Sequence, residues 1–302
     1  MKSELRIAAK RAGEHLWWLT SWLLLASVTP VVAAFEFTGQ GAQSTALGGA
    51  FTARVKTAEA VWFNPAGNAR QRQWQAGTTH ALLFARLDEG SPTLNGVAVT
   101  GPLQGGGLQA GLSFLGAQGW REEVLTLGYG RALHERFALG GGLRTSAWKA
   151  GDLSHRIWSM DVGGTWEVGF VHPQVYLRLG LVAKGLNGAN IAAGGQEAGG
   201  KEQELVVAAS LSLAGKEVLI DIARRDGRTQ FRAGYETRTV SLDGARFRMG
   251  GTAVGSGFAD RELNVGLGHD WKEWNFDYAY SYPLHLAGLG GVHRFSVGYR
   301  RR

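Results

Sequence analysis

Residues 274–282, Trp-Asn-Phe-Asp-Tyr-Ala-Tyr-Ser-Tyr, place an aromatic ring at every second position. Trp274, Phe276, Tyr278, Tyr280 and Tyr282 alternate with Asn275, Asp277, Ala279 and Ser281. A period of two sends successive side chains to opposite faces of an extended strand, whereas a helical face would repeat every 3.6 residues. The same pattern recurs on both sides of this stretch. Val175, Leu177, Leu179 and Leu181 alternate with Tyr176, Arg178, Gly180 and Val182, and Phe295, Val297 and Tyr299 alternate with Arg294, Ser296 and Gly298.

Extended along the chain, the alternation marks fourteen segments. They begin near Trp74, Pro92, Gly106, Glu122, Arg136, Ile157, His172, Gln203, Lys216, Arg228, Ala245, Arg261, Trp274 and Val292. Residues 74–302 shared among fourteen give about 16 residues per strand and connection, and a tilted strand crossing a bilayer takes ~9–11 of them. Twelve or sixteen strands also fit this arithmetic; an even number is expected of a bacterial barrel. Tight turns are expected at Gly105-Gly106, His134-Glu135-Arg136, Gly215-Lys216, Asp243-Gly244 and Lys272-Glu273. Longer connections are expected at Trp148–Arg156, Gly185–Glu202 and Pro283–Gly291. Short periplasmic turns and longer outer loops are the habit of outer-membrane barrels. Trp74, Phe137, Trp166, Phe170, Trp271, Trp274 and Tyr299 gather near the short turns, and Phe84, Trp120, Trp148 and Trp158 near the long ones. Two such girdles suit amphipathic rings at two headgroup layers. The expected fold is therefore all-β: an antiparallel transmembrane β-barrel of about 14 strands.

Composition agrees. The 302 residues include 46 Gly, 6 Pro and no Cys, with a net charge of +7. High glycine with little proline suits strands packed at a crowded wall rather than disorder. Without cysteine there are neither disulfides nor thiolate metal sites. The basic residues are scattered, with no stripe for a nucleic acid. At the N-terminus, Lys2, Arg6, Lys10 and Arg11 precede an uncharged run from Leu16 to Phe35 that contains Val32-Ala33-Ala34. This reads as a cleavable secretory signal over residues 1–34; a membrane anchor is the alternative.

Between signal and strands lies GAQSTALGGAFTARVKTAEAVWFNPAGNA, residues 41–69. Its two blocks, Ala46-Leu47-Gly48-Gly49-Ala50-Phe51 and Trp62-Phe63-Asn64-Pro65-Ala66-Gly67, resemble the N-terminal plug signature of the FadL superfamily of outer-membrane barrels. The last strand, residues 291–300, also resembles the short PorV/PorQ-like members. The resemblance implies three regions: the signal, an N-terminal plug or hatch segment over residues 35–73, and a barrel over residues 74–302. It implies an integral protein of the bacterial outer membrane, inserted by the barrel-assembly machinery and surrounded by outer-membrane lipid. It also implies passive transport or binding of small hydrophobic molecules, or else an accessory role beside secretion-system proteins. In the fatty-acid branch the third strand is kinked, and Gly105, Gly106, Gly107 and Gly111 would permit a kink here.

No catalytic constellation, metal site or cofactor motif is present. Gly-x-Ser-x-Gly and His-Glu-x-x-His are absent. Gly105 to Ala110 only loosely fits a dinucleotide fingerprint, with no helix to follow. His269-Asp270 could form part of a hydrolase dyad, but His269 follows the outward parity of Leu263, Val265 and Leu267 toward an interface. The opposite, inward parity is polar. It carries Arg144, Arg178, Arg232, Arg246, Arg248 and Arg294 with Asp161, Asp221, Glu236, Asn264, Asn275 and Asp277. Charges enclosed in a lumen must be paired or wet. A structural ladder is expected ahead of an anion-selective pore, which leaves a structural or porin-like barrel as a further reading. An apolar cargo needs an apolar lining. The candidates are Leu47, Phe51, Val61, Trp62 and Phe63 in the plug, aimed by the Asn64-Pro65 turn, where Pro65 fixes φ. These side chains would also serve to anchor the plug.

Overall fold

The computed structural model describes residues 41–87, 90–188, 203–225, 227–238, 243–255 and 261–301. The expected signal, the first plug residues 35–40 and most of the Gly185–Glu202 connection lie outside them. The fourteen strands are β1 (Gln75–Leu83), β2 (Thr93–Leu103), β3 (Gly106–Ala117), β4 (Trp120–Ala132), β5 (Phe137–Ala150), β6 (Leu153–His172) and β7 (Val175–Lys184), followed by β8 (Glu204–Leu213), β9 (Lys216–Arg225), β10 (Arg228–Arg238), β11 (Ala245–Val254), β12 (Arg261–Trp271), β13 (Trp274–Pro283) and β14 (Val292–Arg300). Each pairs antiparallel with its chain neighbours, and β1 pairs with β14 to close the barrel. Closure leaves no unpaired edge, which a lone open sheet in lipid would have to satisfy.

The alternation places large apolar side chains outside. Leu127, Leu143, Met160, Val207, Ile220, Leu267 and Phe295 are all exposed. An apolar band of this extent on a water-facing protein would be a liability; it fits a lipid surround. Among the described residues no helix is long and apolar enough to cross a membrane. Trp74, Phe137, Trp166, Phe170, Trp271, Trp274 and Tyr299 are exposed around the end that carries the chain terminus, here the terminal end. The other is the loop end.

Residues 239–242 lie outside the described residues, and Asp243-Gly244 directly precedes β11 at Ala245. Two expectations are corrected. Trp148–Arg156 is not a long connection: β5 runs to Ala150 and β6 resumes at Leu153. β3 has no kink: its register is unbroken with β2 from Thr93↔Gly116 to Leu103↔Gly106, and with β4 from Gly106↔Arg131 to Ala117↔Trp120. The register shifts lie on β6, between Glu167 and Gly169 and between Phe170 and His172, where it pairs with β7.

Residues 41–71 lie inside this barrel. They form a short helix α1 (Ala42–Ala46), a 3-10 turn η1 (Ala58–Trp62) and a run of tight turns around Asn64–Gln71. An isolated five-residue helix has no stability of its own in water. This one is fully buried, with Ala42 and Ala46 packed on Ala279 of β13. The glycines of β3 are used for this contact. A Cβ on Gly107 would overlap the Asn68 carbonyl, and one on Gly111 would lie 2.6 Å from the Trp62 ring. The strand is glycine-rich because the plug presses against its inner face.

Candidate functional site

The plug is clasped by side chains from the wall of β9 to β13. Arg54, buried in the plug, reaches Glu217 on β9 at 3.1 Å and Glu236 on β10 at 2.9 Å. Glu236 also receives Arg248 Nε at 2.5 Å, and Arg248 Nη1 meets Asp277 on β13 at 2.5 Å. Asn275 Nδ2 donates to the second oxygen of Asp277 at 2.8 Å. The result is one chain of alternating charges that begins on the plug and crosses four strands. Gly268 leaves the room in which Arg248 and Asp277 meet. Arg54 is held even more firmly protonated than a free guanidinium: the carboxylates of Glu217 and Glu236 outweigh the opposing effect of burial.

Asp221 departs from the expected ladder. Its carboxylate accepts the backbone N–H of Phe51 at 3.2 Å and of Thr52 at 3.1 Å. It ties down plug amides that would otherwise be buried without partners. Arg232 pairs with Glu204 at 2.7 Å, Arg144 with Asp161 at 3.4 Å and Arg178 with Glu167 at 3.9 Å. Arg246 pairs with Asp270. Arg294 is buried on β14, facing inward. On the plug, Glu59 accepts from the Ser44 amide at 2.8 Å and the Gln43 amide at 3.3 Å, so it caps α1. Burial pushes the Glu59 carboxyl up from 4.5, against the pull of its hydrogen bonds to Ser44 and Gln43.

Asn64 is fully buried. Its amide donates to the Thr52 carbonyl at 3.0 Å and to the Gly164 carbonyl on β6 at 3.2 Å, while its oxygen accepts the Ala66 N–H at 2.9 Å. Asn64 therefore both shapes the turn and nails it to the wall. Pro65 packs against the inner faces of β4 and β5 at Gly130 and Gly140. Leu47, Phe51 and Phe63 are buried together against Leu219 of β9, with the Phe51 and Phe63 rings 5.0 Å apart. Their apolar surface is spent on anchoring. Trp62 is only half-buried, and it lines a cavity of about 350 Å³ bounded by the plug and by β1, β2 and β14, whose lining also includes the charged Arg54, Arg178, Glu217, Arg246 and Asp270.

The inward face is not polar all round: apolar side chains face inward at Val182, Val206, Ala208 and Ala223 on β7 to β9, at Val124 and Ile157, and in a run on β1 to β3. Three successive inward rows there read Leu94–Ala81 with Leu115, then Gly96–Thr79 with Ser113, then Ala98–Gly77 with Gly111. The first row belongs to an apolar cluster at the loop end with Leu83 and Val292, against which Phe84 and Trp120 pack. The second and third rows reach the cavity at Thr79, Gly96, Gly77 and Ala98, beside Trp62. Small side chains thus continue the apolar cluster down to the cavity.

Trp120 and Trp148 were expected at the outer girdle, and they are not there. They stack with ring centroids 5.4 Å apart and pack on the inward-facing Val124 and Ile157. Phe84 likewise joins the interior cluster, so of the four outer aromatics only Trp158 is exposed on the outside. The lumen wall therefore mixes the charges that grip the plug with apolar patches, of which the one on β1 to β3 reaches the cavity beside Trp62. Sequence reasoning missed Arg54, Glu59, Trp120, Trp148 and the Ala81–Leu94–Leu115 track. The signal for the track was present in Thr79, Ala81 and Leu83 and in Leu94, Gly96 and Ala98, all on inward parity. Nothing in the local pattern tells Arg54 from any other plug residue.

No protein-family model matches the chain, and no curated protein matches it in sequence. Solved structures do match in fold. The TodX deltaS2S3 mutant monoaromatic hydrocarbon channel superposes with a TM-score of 0.63 at 12% identity, over 88% of this chain and 100% of that one. The Ralstonia pickettii toluene transporter TbuX gives 0.59 at 13% identity, over 89% and 99%. A Pseudomonas aeruginosa FadL homologue gives 0.53 at 11% identity, over 86% and 98%. The fold is that of the FadL-type barrels. Those proteins are channels and transporters rather than enzymes. The FadL-type fold fits the exposed apolar band described above and the bacterial outer membrane to which such a band belongs.

Proposed function

We infer that this FadL-type barrel sits in the bacterial outer membrane, secreted by way of residues 1–34, and lets small hydrophobic molecules cross without an energy source. One observation carries this reading. On β1 to β3 an apolar cluster at the loop end continues through Ala81, Gly96 and Thr79 into a cavity beside Trp62. A hydrophobic solute needs such a lining, because apolar contact offsets the loss of its membrane or micellar surroundings. On the wall of β10 to β13 the charges that clasp the plug are paired with one another. The solved neighbours named for monoaromatic hydrocarbons and toluene support the same solute class.

A second reading is a PorV/PorQ-like partner of secretion-system proteins, supported by the likeness of residues 291–300. A titration of the purified full chain with a fluorescent fatty acid and with naphthalene separates the two. The transport reading expects saturable binding that weakens in Trp62→Ala and Trp120→Ala. Absence of binding to well-folded protein, with secretion components co-purifying, supports the partner role instead.

A further inference from the structure

The loop end of β4, β5 and β6 carries a cluster of cations on the outside of the barrel. Arg121 and Lys149 are exposed and directly opposite each other in the β4–β5 register, and Lys149 stands opposite Ser154 on β6. Arg156, also exposed, lies one outward position further along β6, a diagonal neighbour of Lys149. Like charges placed opposite one another across a ladder repel. Arg121 is relieved by Glu123 at 2.7 Å. Lys149 and Arg156 have no partner among the described residues, so on the strands the cluster holds three cations against one carboxylate, with Asp152 exposed beyond them in the β5–β6 turn.

The next outward row is apolar. Leu125 and Trp158 flank Thr145, and Leu127, Leu143 and Met160 follow below them. The two charged rows therefore cap a greasy strip at the level where headgroups meet acyl chains. Among the described residues, the β8–β10 side carries no such cluster: the outward Arg224 stands alone between Leu205 and Thr229.

We propose that this sector is a docking site for a lipid that carries two phosphates on its headgroup, with the phosphates bridging Arg121, Lys149 and Arg156 and the acyl chains lying on Leu125, Leu143 and Met160. Two phosphates supply the charge that the three cations and Glu123 leave unbalanced. Arginine engages phosphate through a planar fork and lysine as a point charge, so the cluster offers both modes. A soluble acidic protein would complement the cations but not the apolar strip beneath them. The site rests on the membrane-spanning reading of the barrel.

The test uses the full-length folded chain in two stages. The first reads insertion into nanodiscs of neutral phosphatidylcholine; failure to insert overturns the spanning reading and this site together. The second reads retention of diphosphoryl lipid A by native mass spectrometry, against its dephosphorylated form and with inorganic phosphate as competitor. The expected result is a preference for the phosphorylated lipid that inorganic phosphate does not remove. It should fall about tenfold or more in K149Q/R156Q, two charges being withdrawn from an anionic headgroup, and recover with K149R. K149Q/R156Q should keep the thermal stability of the parent, since neither side chain has a partner among the described residues. Insertion with equal retention of both lipids, unchanged retention by the double variant, or displacement by inorganic phosphate alone would overturn the site.

Discussion

Arg54 is the side chain on which the plug depends most. It is enclosed between Glu217 and Glu236, and the latter also serves Arg248. Removing one partner from such a group leaves carboxylates buried without compensation, at a cost of about 3–5 kcal/mol. Arg54→Ala should lower the unfolding midpoint of the detergent-solubilised barrel accordingly, and protease should then reach residues 41–69. A midpoint unchanged from the parent would mean that the charge chain is not what holds the plug. Glu59 makes a prediction with a sign. Its carboxyl titrates above 4.5 in the folded protein because it is buried. An acid whose folded pKa exceeds its unfolded one adds no cost below the unfolded value. It costs stability as pH rises from there through the folded pKa. The stability difference between Glu59→Gln and the parent should therefore grow in favour of the variant from about pH 4.5 to neutrality, as read from paired thermal melts; a difference that does not change with pH contradicts this. Neither residue was legible in the sequence. Period-two parity assigns a strand residue to a face, but the partner of Arg54 lies 182 residues away, and only closure of the barrel brings the two together.

At the scale of the element, the strands were the most readable part of the chain. WNFDYAYSY and its relatives state their two faces directly, and twelve of the fourteen starts fall within two residues of the observed strands, the exceptions being β6 and β7. What parity cannot say is the character of the inward face, since glycine, alanine and threonine alternate as well as arginine does. The third strand shows this. Its glycines were read as licence for a kink, whereas they make space for the plug. Gly107→Ala places a methyl against the Asn68 carbonyl, a backbone atom that cannot swing aside. It should destabilise by roughly 1–3 kcal/mol, as overpacked sites do. Gly116→Ala on the same strand meets nothing within 4 Å and should stay within about 0.5 kcal/mol of the parent. Chemical denaturation of both variants in lipid vesicles checks the contrast, and equal effects would mean that the plug does not bear on β3. The two tryptophans on β4 and β5 were misassigned for a related reason. An aromatic near a strand end suits both a headgroup girdle and a lumen mouth, and only the parity of its strand separates these. Trp120 shares its face with Glu122 and Val124, which are buried.

At the scale of the whole molecule, a closed fourteen-stranded wall surrounds a plug and leaves a narrow apolar track beside it. The exposed apolar band and the aromatic ring at the terminal end predict a protein that fractionates with outer membranes and migrates differently on gels before and after boiling; recovery in the inner membrane or cytoplasm contradicts the membrane assignment. Under the proposed function, the plug and the paired charges would exclude ions while the track along β1 to β3 would admit a solute that needs no hydration. The most direct measurement puts both properties in one preparation: proteoliposomes carrying the full chain, read together for ion conductance and for entry of naphthalene to an enclosed fluorescent reporter. The expected result is naphthalene entry that depends on the protein and slows in Ala81→Arg, with conductance no higher than in protein-free liposomes. Steady ion conductance through the intact chain, with naphthalene entry the same in its presence and absence, would contradict the account.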